Sequence, residues 1–145
     1  MGSKLTLTLV SESQEGKIGD DWKYTLHAKV YNEGLKGEGK IRIKKHTLGS
    51  GDTQPPPGPP EPLVMDAGEA GSNLNIKLNL KATEVDFFKS DTGEHEVAVS
   101  MYTPQSGAEP ITLDTDISVG VQESPGFVDQ TAVLTLKVQL TSTSD

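Results

Sequence analysis

Apolar and polar residues alternate one for one along most of this chain, and no other feature narrows its folding options as much. Leu5, Leu7 and Leu9 alternate with threonines. Trp22, Tyr24, Leu26, Ala28 and Val30 alternate with Lys23, Thr25, His27 and Lys29, and Ile41 and Ile43 sit between Lys40, Arg42 and Lys44. Leu74, Ile76, Leu78 and Leu80 repeat the pattern with Asn75, Lys77, Asn79 and Lys81 between them. Side chains of an extended strand project alternately to opposite faces, so each stretch reads as a strand with one apolar and one wetted face. No long helical period competes; a single helical turn around Ala82–Asp86 is all the pattern allows.

Further strands follow from the same rule. Leu63 to Met65 is a short candidate after a long loop, and Ile111, Leu113, Ile117, Val119 and Val121 share a face. Leu134, Leu136, Val138 and Leu140 close the chain. The run from Val85 to Tyr102 reads as a hairpin in which Asp91-Thr92-Gly93 supplies the turn and its positive-φ glycine. Seven to nine strands result. One-sided strands belong to antiparallel sheets, and two such sheets must cover each other, which predicts an all-β, immunoglobulin-like antiparallel β-sandwich. A closed barrel is the alternative; the uneven loops favour the sandwich. Trp22, Leu26, Val30, Ile76, Leu78, Val97, Val99, Leu134 and Leu136 are the expected core. Asn32-Glu33-Gly34 ends the second strand, Asn and Gly both tolerating a left-handed backbone there.

A length of 145 residues suits one domain, 1–145. Its one strongly biased segment is the insert 49–62, "GSGDTQPPPGPPEP". Consecutive prolines favour polyproline II, and Pro57 to Pro60 formally satisfies a P-x-x-P ligand. The neighbours are Asp52 and Glu61 rather than the flanking Arg such ligands usually carry. The segment therefore reads as a stiff, exposed loop that is mobile and dispensable for folding.

A formal net charge of −8 argues against nucleic acid as a partner, which needs cationic surface facing phosphates. No stretch approaches the roughly 20 apolar residues of a membrane span. The opening "MGSKLTLTLV" has neither the charged start nor the apolar run of a signal peptide. Cysteine is absent, which removes disulfide and thiolate chemistry. The three histidines lie far apart, and no nucleophile elbow, phosphate-binding glycine loop or His-Glu-x-x-His occurs. The expectation is no enzyme, no catalytic residues and no cofactor.

Three short motifs carry a resemblance. A strand ends Val30-Tyr-Asn32-Glu-Gly34, an apolar-Ala-Gly step follows at Met65-Asp-Ala67-Gly68-Glu69, and a later strand reads Gly93-Glu-His95-Glu-Val97-Ala-Val99. Over roughly Trp22 to Tyr102 the chain resembles bacterial immunoglobulin-like modules of the cell-adhesion-related (CARDB) type. The resemblance implies an immunoglobulin-like sandwich and an extracellular or envelope-associated binding module without catalysis. The N-terminal strand, the insert and the strands beyond Tyr102 depart from it.

Charge asymmetry marks the candidate site. Between Trp22 and Lys45 lie seven of the 13 basic residues and two acids, Glu33 and Glu38. If these strands form a hairpin, alternation places Lys23, His27 and Lys29 on the outer face beside Lys40, Arg42 and Lys44. Lys77 and Lys81 extend that face if their strand joins the same sheet. Like charges side by side repel, so an acidic protein segment or an anionic polymer would relieve them; edge lysines that deter sheet-to-sheet aggregation are the competing explanation.

Acidic pairs at Asp20-Asp21, at Asp114 with Asp116, and at Asp86, Asp91 and Glu94 raise calcium, which needs about six to eight converging oxygens. None has EF-hand spacing, and no metal ligand is assigned. Three functional readings stand: a binding or adhesion module, a structural or assembly protein docking onto neighbouring subunits with weak self-association, and a calcium-dependent C2-like binder.

Overall fold

The computed structural model describes residues 2–16, 18–86, 90–123 and 131–145. Among these, all regular structure is β. The strands are β1 (Gly2–Glu15), β2 (Asp21–Tyr31), β3 (Leu35–Thr47), β4 (Thr53–Gln54), β5 (Leu63–Glu69), β6 (Asn73–Glu84), β7 (Asp91–Tyr102), β8 (Ile111–Gln122) and β9 (Thr131–Ser144). They form two antiparallel sheets packed as a β-sandwich. One sheet runs β3-β2-β6-β7; the other runs β1-β9-β8, with β4 and β5 both paired to the outer side of β1.

The alternation seen in the sequence is the alternation of burial. Leu5, Leu7, Leu26, Ile76, Leu78, Leu134 and Leu136 are completely buried, and Trp22 lies at the same depth with its indole N–H donating to the Gly19 carbonyl. Val97 and Val99 face this core as expected and pack against it, but they are only half-buried. They lie on β7, the edge strand of its sheet, where one flank has no hydrogen-bonded neighbour to cover them.

Several local expectations are corrected. Ala82 to Glu84 continue β6 instead of turning into a helix. Asp91-Thr92-Gly93 is not a turn but the start of β7, paired with Glu84, Thr83 and Ala82. The connection lies earlier, across 85–90, of which 87–89 fall outside the described residues. At the end of β2, Glu33 (φ 55°) and Gly34 (φ 123°) carry the positive backbone angles rather than Asn32. Asn32 instead donates its side-chain amide to the Ala67 carbonyl, 3.0 Å away in the other sheet.

The insert 49–62 is also not free. Thr53 and Gln54 pair with Ser13 and Glu12, Gly51 N–H donates to the Gln14 carbonyl, and Pro56 is buried. Prolines lack an N–H, but the residues before them retain theirs, and these staple the segment to β1.

Two features define the outline. First, both lateral seams of the sandwich are pinched. A Cβ on Gly37 of β3 would lie 2.5 Å from the Asp66 carbonyl oxygen of β5, and one on Gly93 of β7 would lie 2.3 Å from that of Gly120 in β8. Only glycine permits backbones to approach so closely. Second, β1 and β9 are antiparallel with Ser3 opposite Ser144, and Asp145 N–H donates to the Gly2 carbonyl at 3.2 Å. The first and last described residues are neighbours.

Candidate functional site

The outer face of the four-stranded sheet gathers the predicted basic residues. Register places Arg42 on one side of Thr25 and Lys81 on the other, each one strand away. One step along, His27 is flanked by Lys40 and Asn79. In the opposite direction a bulge skips Lys23 in the β2–β3 pairing, leaving it beside the Lys44 end of β3 and across from Thr83 of β6. Lys23, Lys40, Arg42 and Lys44 are exposed, and His27 and Lys29 are half-buried. All six therefore share one face.

The structure also divides the six. Glu38, across from Lys29, accepts from His27 Nε2 at 2.7 Å and stands 4.0 Å from Lys29 Nζ. Beyond it, Lys77 lies over the Tyr31 ring, 5.3 Å from its centroid, a cation–π contact. Lys23, Lys40, Arg42, Lys44 and Lys81 make no ion pair with another described residue. These five line an open concavity of about 740 Å³, His27 lining it with them and Lys29 lying outside. Thr25, Thr83, Thr92 and Asn79 line it too, and Glu94 is the one acid among its described lining residues. Such a surface offers point charges, one guanidinium able to grip a carboxylate or phosphate bidentately, and short hydroxyl and amide partners.

Beneath the Lys44 end lies a polar network that period-two reading overlooks. A bulge between Leu9 and Ser11 resets the alternation of β1, so Glu12 and Gln14 face inward after Leu5, Leu7 and Leu9. Glu12 is fully buried, its Oε1 accepting from the Tyr24 hydroxyl at 2.6 Å. Its Oε2 meets His46 Nε2 at 2.6 Å and accepts from Gln54 Nε2 at 2.9 Å. His46 Nδ1 faces the Lys44 carbonyl at 2.7 Å, an acceptor only, so that nitrogen carries a proton. Burial, and then the hydrogen bond and charge of Glu12, raise the Tyr24 phenol above its ordinary range. A buried carboxylate persists only when its oxygens are this well served. The network fixes the end of β3 that carries Lys44.

At the Trp22 end of β6, Glu84 is buried with one carboxylate oxygen lacking a hydrogen-bond partner among the described residues. Gly19 packs directly over it: a Cβ there would lie 1.9 Å from Glu84 Oε1. Burial, reinforced by Asp86, Asp91, Asp21 and Glu123, pushes its carboxyl up to about 7. The acidic groups considered for calcium fall partly here. Among the described residues, however, no group of three or more His, Asp or Glu side chains is placed to hold a metal ion. Asp114 accepts from Gln139 at 3.3 Å on the other sheet, opposite the basic face.

Fold and surface together define an antiparallel β-sandwich that presents a cationic concavity on one sheet. Comparison with protein-family models and with curated proteins finds no match for the chain.

Proposed function

We propose that the protein is a non-catalytic binding module that holds an anionic partner against the outer face of the β3-β2-β6-β7 sheet. One observation carries this reading: five cationic side chains without an ion-pair partner among the described residues surround one concavity on a molecule of net charge −8. Keeping like charges together costs stability unless something offsets it, and an acidic protein segment or an anionic polymer does so. The immunoglobulin-like, cell-adhesion-related character rests on the sequence resemblance alone, and with it the extracellular or envelope setting.

The test is binding to immobilised polyglutamate and heparin across a salt series. Exposed charges are screened over about 8 Å at physiological ionic strength, so retention falls steeply as salt rises. Arg42→Glu with Lys44→Glu abolishes it while the circular dichroism spectrum stays unchanged. Retention that ignores salt, or that survives the double reversal, overturns the reading.

A further inference from the structure

The cations are arranged in rows, and the rows have a pitch. Outward-facing residues of one strand repeat every second position, about 6.7 Å apart, and neighbouring strands lie about 4.8 Å apart. Row one holds Lys44 and Lys23. Row two holds Arg42 and Lys81 on either side of Thr25. Row three holds Lys40, beside a His27 already engaged by Glu38. Because Thr25 is short, the second row is a saddle: two cationic residues on strands about 9.6 Å apart, with a hydroxyl between them. A single carboxylate placed there reaches Arg42 from one side and Lys81 from the other.

We infer that the occupant of this face is an extended acidic peptide with Asp or Glu at alternate positions, lying along β2 with one carboxylate per row. This rests on the anion-binding reading above and deepens it. The warrant is commensurability: an extended peptide presents alternate side chains on one side at the same 6.7 Å repeat, approximately, as the strands beneath it. Three successive carboxylates then meet the Lys44–Lys23, Arg42–Lys81 and Lys40 rows together. Consecutive acids would send every second carboxylate away from the protein.

Other occupants fit less well. Single-stranded nucleic acid needs aromatic side chains on which bases stack; among the described residues the one Phe, Tyr or Trp lining the concavity, Tyr24, is buried beneath it at 2% exposure. A second copy docking face to face would bring the lysines and arginine of β2, β3 and β6 against themselves, since they outnumber Glu38, Glu94 and Glu96 on the same surface.

Three probes test it on the intact chain by fluorescence anisotropy at low salt: a labelled hexapeptide alternating Glu and Thr, a hexapeptide of the same composition with its three Glu residues consecutive, so that only two share a face, and a size-matched heparin fragment. The alternating peptide is expected to bind at least about tenfold tighter than the block peptide, a difference of about 1.4 kcal/mol. Lys81→Glu removes that preference, leaving the two peptides equal. Equal affinity of the two peptides for the unmodified protein, or tighter binding of heparin than of either, overturns the peptide assignment and leaves the anion-binding module standing. Absence of binding by all three overturns both. Lys4→Glu, on the other sheet and paired with Asp66, is the control expected to leave the preference intact.

Discussion

The Asn32 side-chain amide and the Ala67 main-chain carbonyl are 3.0 Å apart, and through them the end of β2 in one sheet holds β5 in the other. Gly68, at φ 83°, leaves the room: a Cβ there would come within 2.6 Å of Asn32 Nδ2. Asn32→Ala leaves a partly shielded carbonyl unpaired at the seam and is expected to cost about 1–2 kcal/mol in urea denaturation. Asn32→Asp, which keeps the shape and loses the donor, should cost at least as much. Full stability in the Asp variant would show that the bond contributes nothing.

The pinched seam at β7 and β8 makes a contrast within one pair of glycines. Gly93→Ala drives a methyl against the Gly120 carbonyl at 2.3 Å, and backbone cannot rotate aside as a side chain can. A loss of at least about 2 kcal/mol is expected from such overpacking. Gly120→Ala meets no described residue nearer than Thr131 Cγ2 at 3.9 Å and should be close to neutral. Equal effects of the two substitutions on melting temperature would rule out the close approach.

Glu84 makes stability depend on pH. Its carboxyl stands at about 7 in the folded protein against an ordinary 4.5. Between those values the folded state holds a proton that the unfolded chain has released. Stability therefore falls as pH rises through the window from about 4.5 to 7, and the loss is complete above it. Glu84→Gln should flatten this slope and raise stability at pH 8 by ~1–3 kcal/mol, with little change at pH 4. Parallel stability profiles for the two proteins from pH 4 to 8 would sink the assignment.

The Glu12 network predicts that the insert is structural. Gln54→Ala removes one donor from a fully buried carboxylate, and Tyr24→Phe removes another. Each is expected to cost about 1–3 kcal/mol. Because both serve one carboxylate, the double variant should deviate from additivity by at least ~0.5 kcal/mol. Replacing 49–62 with a short Gly-Ser link should destabilise the protein at least as much as Gln54→Ala. A melting temperature unchanged by that replacement restores the picture of a dispensable loop.

The fold was legible wherever one strand face is apolar, because alternation there is the sheet's own geometry written in residue types. It failed where polar groups turn inward. Glu12 and Gln14 continue β1 into the core, yet their composition reads as surface, and the bulge that redirects them has no glycine to mark it. Asp91-Thr92-Gly93 has turn chemistry but sits in a strand, where the glycine serves a neighbour's carbonyl rather than a positive φ. The basic face was legible because it needs only period two and a short hairpin. Glu38 shares the period-two face of Lys40 and Arg42, and the hairpin register sets it across from Lys29; the entry of Lys81 from β6, expected only if its strand joined this sheet, depended on pairing between strands distant in sequence. No local rule supplies that.

Strands β1 and β9 run antiparallel with Gly2 and Asp145 side by side. Tension applied at those two points would peel the ladder open one bond at a time, as a zipper parts, instead of loading all its bonds together in shear. The same adjacency suits the fold to being cut and rejoined: a short tether across Gly2 and Asp145 would let new ends be opened elsewhere in the chain.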